Sequence, residues 1–135
     1  MSADKKTVLV VEDELGMRIF LKTLLESNGF KPVTARDGKE GIRIAKEISP
    51  DLIIMDVMMP REGGALMYQH MRGEKQLKDT PAIILSAVSR RSFFHYLNML
   101  NTQSKQTLTM PDAYIEKPPE PAHLLITIQK LLDLE

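Results

Sequence analysis

Apolar residues occur along this chain in two alternating patterns. The first is a short run with no polar break. Thr7–Val11 is β-branched and apolar, Leu52–Met55 is continuous within Asp51–Asp56, and Ala82–Leu85 repeats the theme after Pro81. Runs of this length predict strands covered on both faces, as in the middle of a parallel sheet. Lys31–Ala35 and Ala113–Glu116 are weaker versions of the same signal.

The second pattern has helical spacing. Met17, Leu21, Leu24 and Leu25 make one stripe, closed by Asn28-Gly29. Asp37-Gly38-Lys39-Glu40 has the spacing of a capping box and opens a helix through Ile42, Ala45 and Ile48, which Ser49-Pro50 end. A third helix is expected over Ala65–Gln76, with Leu66, Met67 and His70 among its members. Ser89 caps a fourth, whose apolar positions are Phe93, Leu97 and Leu100. Leu124, Leu125, Ile128, Leu131 and Leu132 form the best helical stripe and predict a structural last helix. Burial of each is worth about 1.5–3 kcal/mol before entropy is counted. Between the fourth helix and the fifth strand, Asn101–Pro111 is polar and aperiodic, long for a connection. Strand and helix thus alternate five times, which predicts an α/β domain with a parallel sheet and right-handed crossovers.

The 135 residues suffice for one domain, and the expected boundaries are 6–133. Eighteen basic and eighteen acidic side chains cancel, so charge gives no support to nucleic-acid binding. The absence of cysteine excludes disulfides, thiolate zinc sites and a Cys nucleophile. No apolar run approaches the roughly 18 residues of a membrane span, and the polar start is unlike a signal peptide. A cytoplasmic location without membrane contact is the expectation.

Polar residues gather where the strands end. Strand one ends in Glu12 and Asp13, strand three in Asp56, strand four in Ser86 and strand five in Lys117. The crevice beyond the carboxyl ends of an open α/β sheet is where ligands bind. Close carboxylates repel each other, and a hard divalent ion such as Mg²⁺ relieves that. A carboxylate also attacks phosphoryl groups, giving an aspartyl phosphate, with a lysine to neutralise the transferring oxygens. Each residue has a plainer reading: an Asp or Ser at a strand end is often a cap or turn residue, and a Lys before Pro is usually solvated. Their convergence on one edge carries the functional reading.

Taken together, these pieces resemble the receiver domain of bacterial two-component response regulators, over roughly Lys6–Leu132. The resemblance rests on Val8-Leu9-Val10-Val11-Glu12-Asp13-Glu14, Asp37-Gly38 with Glu40, Pro50-Asp51-Leu52-Ile53-Ile54-Met55-Asp56, Met59-Pro60 with Gly64, Leu85-Ser86-Ala87 and Tyr114-Ile115-Glu116-Lys117-Pro118. It implies a flavodoxin-like, doubly wound (βα)5 sandwich with strand order 2-1-3-4-5 and helices on both faces. It further implies Asp56 as phosphoacceptor, and Asp13, Glu12, Asp56 and the backbone carbonyl of Met58 around Mg²⁺. Lys117 would pair with the phosphoryl oxygens, Ser86 would bond the phosphoryl group, and Tyr114 would follow Ser86 inward as the switch aromatic. Pro118 would follow a cis peptide bond.

The chain departs from the family pattern in places. Gly63 stands where Asp or Asn is usual, and Met110-Pro111-Asp112-Ala113 replaces the customary Gly-Ala before the fifth strand. No acid occurs between Asp79 and Asp112, while Arg90, Arg91 and Lys105 do. The plainer reading is a solvated face with a tolerated insertion; the functional reading is that the fourth helix and the following segment form a docking surface, with at least one of Phe93, Phe94 and Tyr96 exposed. His70, His95 and His123 have no ligand spacing and are read as non-functional; the methionines are mostly core filler, Met58-Met59 standing out by position only.

Three functions compete. The first is a phosphorylatable switch, not an enzyme beyond its own phosphorylation and slow autodephosphorylation. It would take phosphate from a sensor histidine kinase or histidine phosphotransferase and signal to a downstream protein, with no output domain in this chain, as a monomer or weak dimer. The second is an Asp-nucleophile phosphatase or phosphotransferase; haloacid-dehalogenase-like enzymes place a second Asp two residues after the nucleophile, where this chain has Met58. The third is a nucleotide- or flavin-binding module, but no Gly-rich loop follows strand one, and Glu-Asp-Glu there repels phosphate. The residues favour the first.

Overall fold

The structure is a computed structural model that describes residues 5–57, 64–103 and 109–133. The strands are β1 (Thr7–Val11), β2 (Lys31–Ala35), β3 (Leu52–Met55), β4 (Ala82–Ser86) and β5 (Ala113–Glu116). The helices are α1 (Leu15–Ser27), α2 (Gly38–Ile48), α3 (Gly64–Gly73), α4 (Arg90–Gln103) and α5 (Pro121–Leu131). All strand pairs are parallel, in the order β2-β1-β3-β4-β5.

Alternate residues of each strand feed two cores. Val8, Val10, Leu52, Ile54, Ile83 and Leu85 face α1 and α5, where Leu21, Leu25, Leu124 and Ile128 are buried. Leu9, Val11, Ile53, Met55, Ala82 and Ile84 face α2, α3 and α4, meeting Ala45, Met67, Tyr68, Met71, Phe93 and Leu97. Coverage on both faces explains why the three middle strands read as unbroken apolar runs.

The helix ends follow their local chemistry. Glu14 caps α1, its carboxylate accepting from the Gly16 and Met17 amides. Gly29 follows at φ +85, a left-handed backbone that disfavours any side chain, and the Phe30 amide returns to the Leu25 carbonyl. Asp37 caps α2 by accepting from the Glu40 amide, and the Glu40 carboxylate reaches back to the Arg36 amide, one residue before the cap. Ser89 caps α4 through the Ser92 amide.

Two elements differ from the sequence reading. Helix α3 ends at Gly73 and its buried side chains are Met67, Tyr68 and Met71; Leu66 and His70 point outward. Residues 74–80 form bends and turns, in which Leu77 is buried. Helix α4 continues through Gln103, so Asn101–Gln103 are helical rather than part of a loop. Residues 104–108, with Lys105, lie outside the described residues.

Candidate functional site

The site is made by the residues that directly follow the two central strands. Val11 of β1 is paired with Met55 of β3, so the next residues, Glu12 and Asp56, leave the sheet side by side. Their backbones extend the ladder: the Glu12 amide donates to the Ala35 carbonyl, and the Asp56 amide to the Val11 carbonyl. Carboxylate oxygens of Glu12, Asp13 and Asp56 all lie within 4.8 Å of one another. Glu12 and Asp56 are buried and Asp13 is exposed.

Lys117 reaches this cluster from the end of β5. Its ammonium donates to Glu12 Oε1 at 2.7 Å and to Asp56 Oδ2 at 2.9 Å. The second Glu12 oxygen accepts from the Glu14 amide at 3.1 Å. One ammonium against three carboxylates leaves an excess of two negative charges when all are ionised (three minus one). Burial pushes the Glu12 carboxyl above its ordinary value despite the Lys117 and Glu14 hydrogen bonds, and the Asp56 charge pushes the same way. Burial alone would lower the Lys117 ammonium; the hydrogen bonds and charges of Glu12 and Asp56 outweigh it and hold Lys117 above its ordinary value.

The turn between β1 and α1 carries a further fastening. One terminal nitrogen of Arg18 donates to both the Glu12 and the Asp13 carbonyls, each at 3.0 Å. Sequence reading missed Arg18, because backbone carbonyls as partners leave no signature in residue order. It also grouped Glu14 with the strand-end acids, whereas the structure employs Glu14 as the cap of α1.

Ser86 ends β4 and is fully buried. Its carbonyl accepts from the Lys117 amide at 2.8 Å, and its Oγ accepts from the Val88 amide at 3.1 Å. The Tyr114 hydroxyl donates to the Val88 carbonyl, and its ring packs against Phe93 and Phe94 at centroid distances of 5.2 and 6.1 Å. Burial raises the Tyr114 phenol, partly opposed by the Ser86 hydroxyl beside it. Thus Glu12, Asp13, Asp56 and Lys117 meet directly, Ser86 is tied to the backbone of Lys117, and Tyr114 closes the neighbouring β4–α4 turn. Met58 and Gly63 lie outside the described residues. The Lys117–Pro118 peptide is cis.

The expected docking residues lie on α4. Arg90, Arg91, Phe94 and His95 line a groove of about 870 Å³ that Glu116 also borders. Phe93 is buried, Phe94 half-buried and Tyr96 exposed, so the aromatic trio is split as its spacing requires. His70, His95 and His123 sit on separate helices, and the metal-capable group found among the described residues contains carboxylates only.

The family profile described as "Response regulator receiver domain" matches residues 8–129. The chain belongs to this family. It is 30% identical over 128 residues to the polar-differentiation response regulator DivK of Brucella ovis, covering 94% of this chain and 96% of DivK. It is 32% identical over 127 residues to the phosphate regulon transcriptional regulatory protein PhoB of Escherichia coli, covering 94% of this chain and 52% of PhoB. The chain therefore spans about half the length of PhoB. Among solved structures, the signal receiver domain of a signal transduction histidine kinase from Syntrophus aciditrophicus superposes with a TM-score of 0.80 at 29% identity, covering 95% and 90% of the two chains. The chemotaxis protein CheY4 of Vibrio cholerae gives a TM-score of 0.78 at 27% identity, with 95% and 99% covered.

As a receiver domain, the chain belongs to two-component signalling, a family of signal relays rather than of metabolic enzymes. Receiver domains bind Mg²⁺ in an acidic pocket, and the Glu12, Asp13 and Asp56 cluster fits that ion: the donors are all oxygen, and the charge excess matches a divalent cation. Among the described residues no helix is long and apolar enough to cross a membrane.

Proposed function

We propose that this receiver accepts a phosphoryl group on Asp56 and relays it as a change in its protein-binding face. The observation that carries this reading is the Asp56 carboxylate at the end of β3, held by Lys117 at 2.9 Å within reach of two further carboxylates. An Asp56 oxygen forms the new bond to phosphorus as the P–N bond to a phosphohistidine donor breaks; the imidazole nitrogen leaves with the electron pair and takes up a proton. Lys117 neutralises charge on the phosphoryl oxygens. Glu12, Asp13 and Asp56, with the Met58 carbonyl that the family resemblance implies, would hold Mg²⁺, which would supply charge neutralisation at the same oxygens. Ser86 turns its hydroxyl to the phosphoryl group, and Tyr114 follows, altering the α4–β5–α5 side where a partner docks.

The phosphate comes from a sensor histidine kinase or histidine phosphotransferase, the recipient of the signal is a protein, the relay works in the cytoplasm, and the receiver domain spans residues 6–133. The phosphatase alternative is not favoured, since Met58 stands where the second Asp would be.

Intact mass after incubation with acetyl phosphate tests the reading. The expected result is one phosphoryl adduct that requires Mg²⁺ and is absent from Asp56→Asn. An adduct on another carboxylate with Asp56 untouched, or none under any condition, overturns it.

A further inference from the structure

The carboxylates of Glu12 and Asp13 are adjacent in sequence, and neighbouring side chains in extended backbone point to opposite sides. For both to converge with Asp56, the chain must bend sharply between β1 and α1 and be held there. Three contacts hold it. The Glu14 amide is bonded to the Glu12 carboxylate, and the Glu14 carboxylate is occupied capping α1. The third is Arg18, whose side chain folds back from the first turn of α1 so that one nitrogen bridges the two carbonyls at 3.0 Å each.

This bridge fixes the peptide planes on both sides of Asp13, and those planes set where the Asp13 side chain points. Asp13 is also the member of the acidic trio with the least support of its own: it is exposed, whereas Glu12 and Asp56 are buried and share Lys117. We infer that Arg18 is a positioning residue for the divalent-cation site, locking the Glu12–Asp13 turn so that the Asp13 carboxylate is pre-aimed at the ion. The inference rests on the reading of the acidic cluster as that site.

Positioning and plain electrostatics predict opposite signs. A guanidinium close to a cation site repels the cation, so removing it by charge alone tightens binding. If its task is to hold the turn, removing it frees the Asp13 backbone and weakens binding. Residues that orient metal ligands from behind typically cost about 10–100-fold in affinity when lost.

The experiment is calorimetric titration of Mg²⁺ into the metal-free protein, comparing the parent with Arg18→Met. Thermal melting confirms that both are folded at the titration temperature. The expected result is affinity weakened by about tenfold or more, with amide chemical shifts altered at Asp13 and Glu14 but not at Val8 or Ile53. Should Arg18→Met fail to fold, Arg18→Gln, uncharged but still an N–H donor, takes its place with a smaller weakening expected. Unchanged or tighter Mg²⁺ binding in the folded variant overturns the inference. Asp13→Asn separates the two levels: if the parent itself binds no Mg²⁺, or Asp13→Asn binds as well as the parent, the reading of the site falls and the Arg18 inference falls with it.

Discussion

Two half-buried cations sit at opposite ends of the sheet, and their surroundings differ in kind. At the amino ends of the strands, Arg72 donates to the Lys78 and Thr80 carbonyls at 2.9 and 2.8 Å and to Asp112 at 3.1 Å, while stacking over the Tyr68 ring. Asp112 in turn accepts from the Ala82 amide at 2.8 Å, and the Tyr68 hydroxyl donates to the Thr109 carbonyl at 2.7 Å. That cluster matches one cation with one carboxylate and several backbone groups. At the carboxyl ends, Lys117 faces two buried carboxylates with a third beside them. The first arrangement is closed and ties α3 to the start of β4 and the approach to β5. The second is short of positive charge, and that deficit suits it to a divalent cation. Similar residue types thus give a fastener in one place and a site in the other, and the difference lies in charge balance.

The contrast can be broken from either end. The largest effect is expected from Lys117→Ala, which removes the cation facing the transferring oxygens. The initial rate of phosphorylation by a small phosphodonor should fall on the order of 10²-fold, as read by intact mass over time. Arg72→Met should act the other way round. Losing the partners of two carbonyls and of Asp112 should lower stability by about 2 kcal/mol, measured by urea denaturation, and leave the phosphorylation rate unchanged. A large rate loss in that variant would mean that the two ends are coupled.

The smallest effect is a pH slope. The folded state holds the Glu12 proton more tightly than the unfolded chain does. The stability from this group is therefore fully present below the ordinary value of 4.5 and is lost as pH rises through the raised one. Lys117 behaves alike at the other extreme: its contribution is present at neutral pH and lost above 10.5, as pH passes its own raised value. In the metal-free protein, Glu12→Gln should flatten the decline on going from mildly acidic to neutral pH, seen as urea midpoints at several pH values.

Much of this was legible in residue order. The unbroken Leu52–Met55 run marks a strand covered on both faces, and the acids and lysine at strand ends mark the site, because topology alone brings those ends together. Helix α3 was misjudged because Tyr68 reads as amphipathic, yet its ring lies in the core while only its hydroxyl reaches the Thr109 backbone. Arg18 and Arg72 were invisible for a related reason: their main partners are carbonyls, which every residue carries. Helix α4 outran its expected end since polar Asn101, Thr102 and Gln103 break the stripe without breaking the helix.

The fastening of Tyr68 to Thr109 and of Arg72 to Asp112 also bears on chain engineering. Helix α4 ends at Gln103 on one side, and Thr109–Asp112 are anchored to α3 on the other. The β5 end of the intervening span is thus held by contacts to α3. Closing a longer span between fixed ends costs only about 0.6 kcal/mol for each doubling of its length. The junction between α4 and β5 is therefore a place to splice a foreign peptide or reporter, since the anchors of Thr109 and Asp112 to α3 do not run through it.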